Sequence, residues 1–61
     1  MNPQEKSSFL RALENLRWTG KTHLTRNEID RVAQEISMNR EYALADKLRS
    51  MDPAAVSAIL R

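Results

Sequence analysis

The sequence predicts an all-α domain of three helices, at about residues 3–18, 26–50 and 53–60, completed by homodimerisation. Three observations carry this reading. Apolar residues recur at three- and four-residue spacing through most of the chain. A helix-start signal precedes each periodic run: Asn2-Pro3, Thr25 with Glu28, and Asp52-Pro53. The chain has 61 residues and no cysteine, so it is a single domain whose core is thin and unsupported by disulfides or thiolate metal sites. Association with a second chain is the support that remains.

In the first helix Asn2 is the N-cap, Pro3 takes the tolerant first position, and Glu5 faces the positive end of the helix dipole. Phe9, Ala12, Leu13 and Leu16 share one face, and Leu10 widens it. Gly20 is expected to end the helix in a left-handed cap, with Arg17 complementing the negative dipole end. Trp18 projects away from the stripe and needs another partner. It either folds over the Gly20 turn onto the central helix or serves as a contact anchor, a role tryptophan often fills at interfaces. His23 stands alone, without other ligands at metal spacing, and reads as a solvated loop residue.

The start of the central helix is the most strongly specified local structure in the chain. Thr25 and Glu28 form a capping box, and Leu24 and Ile29 occupy the staple positions around it. Ile29, Val32, Ala33 and Ile36 then continue one apolar stripe. Beyond Ile36 the stripe rotates toward Ala43, Leu44, Leu48 and Met51. Two structures account for this. One is a single helix over about 26–50 whose stripe winds around two partners; the other bends at Ser37-Met38-Asn39 and restarts with Asn39 as N-cap. No glycine or proline enforces a bend, and Glu41, Ala43, Leu44, Ala45, Lys47 and Leu48 are good helix formers, so the continuous helix is expected. Asp52-Pro53 opens the last short helix, where Val56, Ile59 and Leu60 form an apolar edge that must dock on a core.

Charge is unevenly spread. Residues 1–26 carry a net +3 and residues 27–61 a net −1, so the first half can attract phosphate while the second half argues against a simple polyanion binder. With one glycine, one histidine and no cysteine, no glycine-rich phosphate loop, Cys/His nucleophile pair or His-rich metal cluster can be assembled. The chain is therefore read as non-enzymatic and without cofactors. It contains no apolar run of membrane-spanning length, and its polar start is unlike a secretory signal, so the expectation is a cytoplasmic protein.

Val32-Ala33-Gln34-Glu35-Ile36-Ser37-Met38-Asn39-Arg40 resembles the first helix and turn of helix-turn-helix proteins. Ala33 is the small residue at the helix contact, Val32 and Ile36 are core, Ser37 stands where glycine is usual, and Met38 plugs the turn. Ala43 and Asp46 depart from the pattern, which has larger apolar residues at both positions. The resemblance implies a DNA-binding regulator in which Asn39, Arg40 and Tyr42 face bases and Lys21 and Arg26 contact phosphate.

Over residues 24–61, Leu24, Asn27, Glu28, Lys47, Leu48, Pro53, Val56 and Arg61 give a fainter similarity to Hha-type nucleoid co-regulators, whose Asp-His-Arg motif is missing here. In size and composition the whole chain also resembles the small helical accessory proteins of the early exo-xis region of lambdoid phages. That resemblance implies a regulator that binds host or phage proteins during development. The leading expectation is thus a homodimeric interaction protein with Leu44, Leu48 and Met51 at the interface and Trp18 and Tyr42 at its rim. DNA binding is the alternative.

Overall fold

Four helices occupy residues 1–60, which the computed structural model describes: α1 (Pro3–Asn15), α2 (Arg26–Met38), α3 (Tyr42–Ser50) and α4 (Pro53–Ile59). There is no strand among the described residues. α1 and α2 begin alike. Asn2 Oδ1 accepts from the Glu5 amide at 2.7 Å and Glu5 Oε1 accepts from the Asn2 amide at 3.2 Å. In α2 the Glu28 amide donates to Thr25 Oγ1 at 3.3 Å and the Thr25 amide to Glu28 Oε1 at 2.9 Å. Each box satisfies two backbone donors that have no partner within the helix. Leu24 and Ile29, on either side of the second box, are both buried.

The central helix of the sequence reading is two helices, which makes four rather than three. The chain leaves α2 through Asn39, turns at Arg40 with φ 64°, and starts α3 at Tyr42. The Glu41 amide donates to the Ile36 carbonyl at 3.3 Å and the Arg40 amide to the Ser37 carbonyl at 2.9 Å. This pair of bonds is the Schellman motif, with arginine in the left-handed position that glycine usually takes. Asn39 closes α2 instead of capping α3; its Nδ2 donates to the Glu35 carbonyl at 3.4 Å. Glu41 precedes α3 without any side-chain cap.

The first helix ends the same way, and earlier than expected. α1 stops at Asn15, the Trp18 amide donates to the Leu13 carbonyl at 2.8 Å, the Arg17 amide donates to the Glu14 carbonyl at 3.0 Å, and Arg17 has φ 61°. Arg17, not Gly20, is therefore the left-handed cap, and Gly20 (φ 92°) turns the loop that follows. Asp52 precedes α4 as foreseen, though its side chain makes no cap bond.

Burial explains why the chain bends at Arg40. A left-handed L-residue costs about 1–2 kcal/mol. Folding α3 back onto α2 buries Leu44, Ala45 and Leu48 against Val32, Ala33 and Ile36 in one core, and two leucines alone are worth about 3–6 kcal/mol. Packing thus outweighs local preference. Phe9, Ala12 and Leu13 of α1 and Val56 of α4 complete the same cluster. Polar ties hold the outer helices in place. The buried Ser57 Oγ accepts from the Leu24 amide at 3.0 Å, fixing α4 to the segment before α2. Arg26 reaches from the first turn of α2 to the carbonyls of Arg49 (3.2 Å) and Met51 (2.9 Å). Its charge thereby lies at the negative end of the α3 dipole.

One copy closes this core. The radius of gyration is 10.0 Å, against about 10.5 Å for a folded domain of this length. The accessible surface is 4161 Å², near the roughly 4,000 Å² of a folded monomer of this mass.

Candidate interaction site

The residues singled out in the sequence fall into three environments. Leu44 and Leu48 are buried in the chain's own core, and Met51 packs partly buried against it. The apolar surface of Leu44 and Leu48 is already covered within this core, where α3 packs chiefly on α2. Lys21 and Arg26, expected on phosphate, are engaged within the fold. Arg26 binds the end of α3, while Lys21 Nζ lies 2.7 Å from Glu28 Oε2 and 5.8 Å from the centre of the Trp18 ring. Asn39, Arg40 and Tyr42 are exposed at the corner between α2 and α3.

That corner is a helix, a turn and a helix, but not in the register the resemblance implied. Met38 does not plug the turn; it is 74% exposed. Ala43 and Asp46 lie on the surface, and the buried positions of α3 are Leu44, Ala45 and Leu48. The left-handed residue is Arg40, three positions beyond Ser37. α2 runs further than the pattern allows, and the buried face of α3 is displaced with it.

A different feature gathers apolar groups at the surface. Leu10 and Leu13 of α1, Trp18 and Gly20 of the following loop, and Leu60 at the end of α4 line a recess of about 350 Å³, whose wall is completed by the polar Glu14, Thr19, Lys21 and Thr22. Trp18 occupies the position after the left-handed Arg17, where a hydrophobic residue commonly packs back on the helix. Here that helical residue is Leu13, which lines the same recess. Leu10, the stripe-widening residue, is 40% exposed at its rim. The sequence carried half the signal, in the Leu13-to-Trp18 spacing of the cap; the contribution of Leu60 depends on where α4 docks.

The electrostatics around the site are those of held ion pairs. Lys21 holds the Glu28 carboxyl down to about 2, with the Thr25 amide adding to the effect. Lys47 lies 2.9 and 3.0 Å from the Glu5 carboxylate oxygens and, with the Asn2 amide, lowers the Glu5 pKa. A polar cleft of about 260 Å³ lies between the starts of α1 and α3, where Asn2, Ser8, Arg40 and Tyr42 meet and Ser8 Oγ donates to Glu41 Oε1 at 2.8 Å. Trp18 and Tyr42, expected at one rim, line different clefts.

Compared with known proteins, the chain matches no family model, no curated protein and no solved structure. Among the described residues no group of three His, Asp or Glu side chains could hold a metal ion, and no helix is long and apolar enough to cross a membrane. Arg61, one of the residues that carry the similarity to Hha-type co-regulators, lies outside the described residues.

Proposed function

We propose that this chain is a non-enzymatic helical interaction protein, a small regulator that acts by binding another protein through the Leu10–Trp18–Leu60 recess. The observation that supports it is the recess itself, an apolar concavity built from three separate segments with a tryptophan in its wall. Tryptophans in apolar pockets are typical anchors of protein interfaces. A role of this kind accords with the resemblance to phage early-region accessory proteins, which implies action on host or phage proteins. Self-association belongs to the same reading. Leu44 and Leu48 can meet a second copy only by leaving the core they complete in the first.

The test compares wild type with Trp18→Ala and Leu10→Glu as immobilised baits in a lysate of the source cell. Leu10→Glu changes a residue at the rim and should leave the fold intact. The expected result is a protein retained by wild type and lost from both variants. Trp18 is the single tryptophan, so its fluorescence should shift when that protein binds. Equal retention by all three baits would reject the recess as the site.

The turn between α2 and α3 favours a second reading, DNA binding by Asn39, Arg40 and Tyr42, all exposed at that corner. Binding of this kind would weaken steeply with salt and disappear in Arg40→Glu. No retention of duplex DNA at low ionic strength would eliminate it.

A further inference from the structure

We propose that Lys21 is the positioning residue of the Trp18 recess. The turn from Trp18 to Lys21 brings its ammonium over the Trp18 ring, Glu28 holds it there, and the recess wall is thereby fastened to the capping box that starts α2. The inference rests on the recess being the binding site and names the group that keeps it in shape.

The chain between α1 and α2 is pinned at both ends. The Trp18 amide donates to the Leu13 carbonyl at 2.8 Å, and the buried Leu24 donates its amide to Ser57 Oγ at 3.0 Å. Residues 19–23 between these points have little of their own to hold them. Thr19, Gly20, Thr22 and His23 are exposed, and the hydroxyl of Thr22 meets only the neighbouring His23 ring, at 3.5 Å. Among the described residues, Lys21 supplies the one ion pair or hydrogen bond that joins this stretch to a helix.

Local geometry delivers Lys21 to its place. Its amide donates to the Trp18 carbonyl at 3.3 Å, which closes a four-residue turn, and Gly20 holds the third position of that turn at φ 92°. Positive φ at that position is the mark of a type II turn and favours glycine. The turn brings residues 18 and 21 together, and Lys21 Nζ lies 5.8 Å from the centre of the Trp18 ring, within the range of a cation–π contact.

The same ammonium lies 2.7 Å from Glu28 Oε2. An exposed ion pair usually contributes little, because two long side chains must be ordered to make it. Here the carboxylate is already ordered: its other oxygen, Oε1, accepts from the Thr25 amide at 2.9 Å as half of the capping box. Glu28 cannot swing away without giving up that bond. The carboxylate thus orients Lys21, Lys21 orients the indole, and the recess is formed before a partner arrives, which lowers the ordering cost of binding.

The indole reports on this directly, since Trp18 is the single tryptophan. The measurement is the rate constant for collisional quenching by acrylamide, corrected with fluorescence lifetimes, on the isolated chain. Lys21→Ala should raise it about two- to fivefold, the factor by which an ion pair and a cation–π contact at partly exposed sites favour the closed loop. Gly20→Ala should raise it too; nothing lies within 4 Å of the added methyl, so only the strain of the turn acts. Lys21→Arg, which keeps the charge, should give the wild-type value. Lys47→Ala breaks the Glu5 pair of similar length beside the polar cleft and should leave quenching unchanged. All variants are compared at unchanged far-ultraviolet circular dichroism. Wild-type quenching in Lys21→Ala, an equal rise in Lys47→Ala, or failure of arginine to substitute for lysine would overturn the proposal. None of these outcomes depends on the partner, so they are separate from the lysate test of the recess itself.

Discussion

Replacing Arg40 by glycine should stabilise the monomeric fold, although glycine ordinarily weakens helical proteins. Arg40 has φ 64° and its amide already donates to the Ser37 carbonyl at 2.9 Å, so glycine keeps every bond of the turn. An L-residue in this region gives up about 1–2 kcal/mol, whereas the extra backbone freedom of glycine in the unfolded chain costs about 0.5–1 kcal/mol. The Arg40 side chain is exposed, and among the described residues no hydrogen bond or ion pair ties it to the fold. The net gain should be about 0.5–1 kcal/mol. For a domain this small that corresponds to a rise in Tm of about 2–8 °C. Urea unfolding of dilute protein followed by circular dichroism measures it, with Arg40→Ala as the comparison that keeps the left-handed penalty. If residue 40 instead lay inside one continuous helix, glycine would cost about 1 kcal/mol. A lowered midpoint for Arg40→Gly, with Arg40→Ala unchanged or raised, would therefore refute the broken helix.

Three other perturbations probe the remaining ties. Ser57→Ala removes the acceptor of the buried Leu24 amide, and should cost about 1–3 kcal/mol in urea unfolding; Ser57→Thr, which keeps the hydroxyl, should recover part of the loss. Leu48→Ala empties a fully buried site shared by the α2 and α3 faces, and its expected cost of about 2–5 kcal/mol would consume most of the roughly 3–5 kcal/mol such a small core supplies; an unchanged thermal midpoint would place Leu48 at the surface. The Glu28 carboxyl, held at about 2 by Lys21, loses fewer protons in the unfolded chain than in the folded one at a given acidic pH, so its stabilisation is complete above the ordinary carboxylate range and disappears as pH falls from about 4.5 toward 2. Solvent screening keeps that contribution small, but Glu28→Gln should flatten the acid limb of the stability profile measured by denaturant titration.

The local signals in the sequence were those that depend on neighbours a few residues away. The Thr25–Glu28 box, the Asn2 and Asp52 positions and the Ile29-Val32-Ala33-Ile36 stripe can be read directly because cap and periodicity are properties of consecutive residues. The two left-handed arginines could not be found this way. Arginine has no intrinsic preference for that region, and Gly20, the obvious candidate, lies just beyond the first of them. What placed Arg17 and Arg40 there was the backbone path needed to bring Trp18, Leu44 and Leu48 back onto the core.

By itself, then, the sequence determined an all-α chain, the starts of three of its helices, and the apolar faces that had to be buried. Only the tertiary structure decided that the second of these runs breaks at Arg40, that Leu44 and Leu48 are buried in the core of the same copy, and that Leu10, Trp18 and Leu60 line a recess. The physical reason is the same for each. Helix propensity across residues 38–42 differs little between a bend and a straight run, so the choice falls to long-range burial. Local sequence carries no record of which distant surface will be there to receive it.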